Sequence, residues 1–157
     1  MRVLALNLLL ALLWAAVAGS VGPAHLAVGF VVGYLVLWLA RPVLGPTRYF
    51  GKVVDAVRFL AFFVVELVLA NLRVAWDVLT PRSTRRPGVV AVPLEEASDA
   101  EITFLANLVT LTPGSLSLDV DEDRRCLYVH AMFVDDPDLI RRGVKDGFER
   151  RVLELLR

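Results

Sequence analysis

Glu66 is the residue of this chain best placed to do chemistry. It stands in the run Phe62-Phe63-Val64-Val65-Glu66-Leu67-Val68-Leu69. An acid in so apolar a stretch is costly unless it is functional or paired. A carboxylate there has two uses: it can pass a proton or cation along a path, or it can close an ion pair. The nearest charged residues on either side, Arg58 and Arg73, lie eight and seven positions away. That is about 10–12 Å of helical rise, so pairing needs a group from outside the helix. Asp55, Arg58, Glu66, Arg73 and Asp77 fall within an arc of roughly 100° on a helical projection.

Other reactive side chains give weaker signals. His130 sits between Val129 and Ala131 in a strand-like run, where it serves either a structural hydrogen bond or an inter-subunit contact or proton site. Cys126 is the only cysteine, which excludes an intrachain disulfide and fits an inert packed thiol. Thr103, Asn107 and Thr110 form a polar stripe on an otherwise apolar segment. No phosphate-binding loop, G-x-G-x-x-G or G-x-S-x-G motif occurs. His25 and His130 are far apart, with no metal-ligand spacing around either. The acidic run at Asp121-Glu122-Asp123 lacks a calcium-loop pattern and reads as a solvated turn. Neither an enzyme nor a metal or cofactor site is expected. With 17 basic and 17 acidic residues, nucleic acid is not an expected partner.

These residues must be positioned by two different kinds of chain. Residues 3–40 contain no Asp, Glu, Lys or Arg, and 57% of the whole sequence is apolar. A charge-free run of that length reads as lipid-facing. It is broken once, at Gly19-Ser20-Val21-Gly22-Pro23, which predicts a helical hairpin over 3–18 and 26–40. Arg2 and Ala16-Val17-Ala18 also resemble a signal peptide. The second apolar segment close behind favours a retained hairpin. Its helices, about 25 Å long, are short for a hydrocarbon core of about 30 Å. Gly29 and Gly33 form a G-x-x-x-G that allows close helix approach.

Arg41, Pro42, Gly45, Pro46 and Arg48 mark a helix-breaking basic linker. The positive-inside rule then places both hairpin ends in the cytoplasm. A third, amphipathic helix over 49–79 carries the charged stripe. Basic residues flank it on both sides, which leaves open whether it crosses the bilayer, lies on its surface or packs on a partner. The membrane region is therefore 1–80 and a small soluble domain 81–157.

The soluble part predicts strand, helix, strand, strand, helix. Val89–Leu94 is a strand. Ser98-Asp99-Ala100-Glu101 is a capping box opening a helix to about Leu111, which Thr112-Pro113-Gly114 stops. Ser115–Val120 and Arg125–Phe133 form a hairpin. Asp136-Pro137 starts a last helix with the stripe Ile140, Val144, Phe148, Val152, Leu155. The fold class is thus a membrane α-helical N-terminal part with a small α+β (βαββα) cytoplasmic domain, its helices on one face of the sheet.

Four stretches carry a family likeness: Asn71-Leu72-Arg73-Val74-Ala75, Ile102-Thr103-Phe104-Leu105-Ala106-Asn107, Leu111-Thr112-Pro113-Gly114-Ser115-Leu116-Ser117 and Leu127-Tyr128-Val129-His130. With the order of apolar hairpin, amphipathic helix and soluble domain, they make the chain resemble the MrpE/MnhE family, one of the subunit types of the Mrp-type multisubunit sodium/proton antiporters. Ser115 stands where that family often has Thr. The resemblance implies an accessory, non-catalytic subunit of a hetero-oligomeric plasma-membrane complex exchanging cytoplasmic sodium for external protons. Larger subunits would carry the ions. It adds Thr112, Pro113 and Gly114 to the interface candidates Arg58, Glu66, Arg73, Asp77, Asn107, Thr110 and His130. Membrane lipid and the other antiporter subunits are the expected partners. Two readings stand beside it: a direct part in the ion path through Glu66 or the Thr103, Asn107 and Thr110 stripe, and a membrane-anchored sensor module.

Overall fold

The structure is a computed structural model describing residues 2–80 and 86–157; Arg82 and Arg85, two of the basic residues that flank the amphipathic helix on its C-terminal side, lie outside that range. By their contacts the residues form two compact units, Met1–Val54 and Asp55–Arg157. The sequence places its boundary at 80/81. The contacts divide the chain earlier because Phe59, Phe62 and Phe63 of the amphipathic helix pack on the α+β core.

In the first unit, α1 spans Arg2–Val17 and α2 spans Pro23–Leu39, starting three residues earlier than expected because Pro23 takes the first helical turn. The hairpin is joined by small residues. Asn7, Ala11 and Ala15 of α1 are buried, as are Gly29, Gly33 and Leu37 of α2. A Cβ added at Gly29 would lie 2.8 Å from the Ala11 carbonyl oxygen. The G-x-x-x-G is thus spent on contact within the hairpin. The expected linker contains a one-turn helix, α3 (Arg41–Leu44). Both hairpin helices expose apolar side chains on all other sides, among them Leu9, Leu13, Val31 and Leu39. Among the described residues no helix is both long and apolar enough to cross a membrane; α1 and α2 have 16 and 17 residues.

Helix α4 is continuous over Tyr49–Leu79. The Thr47 hydroxyl accepts the Tyr49 N–H at its start (3.2 Å), satisfying a donor that a helix end leaves orphaned.

In the second unit, strands β1 (Gly88–Pro93), β2 (Ser115–Val120) and β3 (Cys126–Ala131) form an antiparallel sheet in the order β1-β3-β2. Val89 pairs with His130, and His130 with Leu116. The β2–β3 turn is closed by Asp121, whose Oδ1 accepts from the N–H groups of Arg125 (2.6 Å) and Cys126 (2.8 Å). Helix α5 (Asp99–Leu111) opens with the expected capping box: the Ser98 Oγ accepts the Glu101 N–H, and the Glu101 side chain accepts the Ser98 N–H.

The last helical stretch differs from its expectation. Between α6 (Pro137–Arg142) and α7 (Arg150–Leu156), residues Gly143–Glu149 form a π-helical segment. The physical reason lies in the apolar spacing. Val144, Phe148 and Val152 recur every four residues, and each such step on an α-helix drifts by about 40°. A wider turn absorbs that drift, and all three are buried.

The core of this unit joins Val90 and Val92, Leu105 and Val109, Leu127 and Val129, and Val144, Phe148 and Val152, with Phe59 of α4 added. Leu127 and Val92 are fully buried, each contributing about 1.5–3 kcal/mol by leaving water. On the opposite sheet face Val89, Leu116 and Tyr128 are exposed, so the core lies on one side of the sheet only.

Candidate subunit-interface site

A groove of about 440 Å³ runs between α4 and the α+β core. From α4 it is lined by Phe62, Glu66, Leu69, Ala70 and Arg73; from the core, Thr112, Pro113 and Gly114 meet Phe133, Ile140 and Phe148. Five residues singled out by sequence therefore converge here: Glu66, Arg73, Thr112, Pro113 and Gly114. Glu66 is half-buried and Arg73 exposed. Neither makes a hydrogen bond or ion pair among the described residues. Uncompensated charges of both signs on an apolar wall fit a second protein surface bearing the opposite groups.

The Leu-Thr-Pro-Gly turn holds its shape through hydroxyls. The Thr112 Oγ1 donates to the Leu108 carbonyl (3.0 Å). The Ser115 Oγ donates to the carbonyls of Val109 (2.7 Å) and Thr112 (2.9 Å). These are the carbonyls a helix end leaves without partners, and a Thr at 115 would carry the same hydroxyl. Gly114 has φ +87°, where a side chain would strain the backbone.

The remaining candidates lie elsewhere. Arg58 borders a polar recess with Asp55, Phe62, Arg150, Arg151 and Glu154. There Arg150 approaches Glu154 (4.0 Å). The Arg151 guanidinium stacks 3.9 Å over the Phe62 ring, a cation–π contact, and its Nη1 donates to the Gly147 carbonyl (2.7 Å). Asp77 is buried. Asn107 and Thr103 are exposed on α5. The Thr110 Oγ1 accepts the Ser117 N–H (3.1 Å), tying α5 to β2. The polar stripe is therefore no continuation of the Glu66 groove. His130 is half-buried on the open sheet face; the structural hydrogen bond considered for its side chain is not among those of the described residues.

Sequence reasoning missed two buried polar groups, Asn7 and Glu149, and the bond from Arg157 to the capping-box residue Glu101. The Asn7 side chain is fully buried, its Nδ2 donating to the Tyr49 hydroxyl. Among the described residues its Oδ1 has no N–H or O–H partner, and it lies against Gly33, where only a Cα–H fits. Glu149 is buried, its Oε1 accepting the Glu95 N–H (2.6 Å) and its Oε2 lying 3.8 Å from the Lys145 Nζ. Glu101 is also buried. The Ser98 N–H and hydroxyl, followed by the Arg157 guanidinium (3.1 Å), hold its carboxyl below its ordinary range. The available signal was an Asn in an apolar run and a Glu in an apolar helix face; the partners Tyr49, Glu95 and Arg157 are too distant in sequence to be read locally. Among the described residues no group of three His, Cys, Asp or Glu side chains could hold a metal ion.

Residues 7–155 match a family, MnhE, described as Na+/H+ ion antiporter subunit. The E-type Na+/H+ antiporter subunit of Alkalihalophilus pseudofirmus is 36% identical over 96% of this chain and 95% of its own. That of Bacillus subtilis is 36% identical over 97% and 96%. Among solved structures, a chain of the Mrp complex from Dietzia shares 30% identity with a TM-score of 0.51, covering 65% of this chain and 96% of that one. A chain of the archaeal membrane-bound sulfane sulfur reductase covers 99% of both chains at 24% identity and TM-score 0.60, a likeness of fold. A match running from the buried Asn7 to the end of the last helix makes the chain a member of the MnhE family of Na+/H+ antiporter subunits.

Proposed function

We propose that this chain is an accessory subunit of a Mrp-type multisubunit cation/proton antiporter, assembled in the plasma membrane, where it braces larger subunits that carry the ions. The observation that carries this reading is the groove joining Glu66 and Arg73, unpaired among the described residues, to the Thr112-Pro113-Gly114 turn. Truncating one partner of a buried ion pair leaves the other charge uncompensated and costs more than the pair contributes. The hairpin, whose polar side chains within its helices are Arg2 and His25 near their ends, the buried Asn7 and the Tyr34 hydroxyl, enters the bilayer as one membrane element, and residues 81–157 form the cytoplasmic domain. Arg41, Arg48 and Lys52 at its exit support that side.

The test is Glu66→Ala in the tagged complex. Pairing with a neighbouring subunit predicts a several-fold lower yield of assembled complex, while complexes that do form keep their transport per molecule. Full assembly with transport lost would move Glu66 from the interface into the ion path.

A further inference from the structure

We infer that α4 lies along the lipid–water interface and does not cross the bilayer. The inference rests on the membrane reading above and concerns a surface which that reading leaves unassigned. Two opposite faces of α4 carry the argument.

The first face is open. Val57, Leu60, Val64, Val68, Leu72 and Leu79 are 47–80% exposed. Their spacings of three, four and seven place them on one stripe. No charged residue interrupts it, and Asn71 within it turns its Nδ2 back to the Leu67 carbonyl (2.7 Å). Trp76, 73% exposed, is the residue type that settles at headgroup level. An exposed apolar stripe this long needs an occupant.

The second face meets the chain's own α+β domain through its aromatic side chains. Phe59 belongs to its core, and Phe62 lies edge-on to Phe148 at 5.5 Å between ring centres. Near the middle of the helix, the Arg151 guanidinium sits on Phe62, and Arg150 and Glu154 line the same recess. If α4 spanned the bilayer, these charges and the domain bearing them would be drawn into hydrocarbon, where charged groups are excluded. A helix lying in the interface avoids this, its apolar side in lipid and its polar side with the domain in water.

Lipid is the occupant that the rest of the chain favours. A short linker containing α3 joins the apolar hairpin to α4, and residues 41–54 bring Arg41, Arg48 and Lys52 with no acid, the charge that an anionic leaflet attracts. Helices α1 and α2 are apolar nearly all round, as bilayer-embedded helices are. On α4 the polar and apolar residues segregate, as on interfacial helices.

The experiment uses the intact wild-type complex in liposomes containing anionic phospholipid. One lipid carries a photoreactive diazirine near the headgroup and another carries it at the acyl terminus; labelled residues are mapped by mass spectrometry. A surface helix predicts labelling along the whole 57–79 stripe by the shallow probe, at least several-fold above the deep one. Nitroxide labels at Val57, Val64 and Leu72, in a Cys126→Ser chain, should report one common depth. Deep-probe labelling centred on the helix, with depths graded over about 22 Å from 57 to 72, would overturn the inference and leave the membrane reading standing. A stripe that neither probe labels would overturn it in favour of a partner protein. Release of the chain from membranes by alkaline wash would overturn both readings.

Discussion

Glu101 shows how much one side chain can hold. Its carboxylate accepts from Ser98 at the start of α5 and from Arg157 at the far end of the domain, so helix cap and chain end are fastened at one point. Because folding lowers its pKa below the ordinary 4.5, the unfolded chain takes up the proton first. The stabilisation is complete above 4.5 and is lost as the pH falls through the lower folded value. Glu101→Gln should therefore weaken hydrogen-exchange protection of residues 98–111 at neutral pH. The difference from the unaltered chain should shrink as the pH falls below 4.5. A difference independent of pH would mean that packing, and not the charge, is what the carboxylate supplies. The cap itself was legible from Ser98 and Glu101 alone because its partners are three residues apart. The bond to Arg157, 56 residues away, has no local signature.

At the scale of elements, the hairpin depends on the absence of side chains. A methyl at Gly29 would meet the Ala11 carbonyl oxygen at 2.8 Å and the Ala11 Cα at 2.9 Å. Both are backbone atoms, so the helices themselves must separate. Gly29→Ala should cost roughly 1–3 kcal/mol, the usual range for overpacking, and lower the thermal midpoint of the solubilised complex. Gly51→Ala is the control, since a Cβ there meets nothing within 4 Å; it should leave the midpoint unchanged or slightly raised. Equal effects at both positions would contradict the close α1–α2 contact. Periodicity and capping revealed β2, β3 and α5 almost to the residue. They could not reveal the π-helical turn at Gly143–Glu149, because the four-residue spacing of Val144, Phe148 and Val152 reads equally as the stripe of an α-helix. Nor could they reveal the Asn7–Tyr49 contact, which joins residues 42 positions apart. The amphipathic pattern of α4 was plain in the sequence, but which face the domain covers was not, because that depends on packing between distant segments.

At the scale of the whole molecule, two compact units with different surfaces share one chain. The first exposes apolar side chains nearly throughout; the second has a conventional core, a charged groove and an apolar sheet face at Val89, Leu116 and Tyr128. Exposed apolar area of this extent is unusual for a protein that works alone. The candidate site was half legible at this scale. Glu66 and Arg73 stood out as charges in an apolar helix, and Thr112-Pro113-Gly114 through family likeness, but their meeting in one groove is a product of the fold. Purifying the tagged chain in mild detergent and identifying what co-elutes by mass spectrometry tests the central claim most directly. The account predicts large multispan antiporter subunits in fixed ratio to this chain. A stable monomer eluting alone would contradict it.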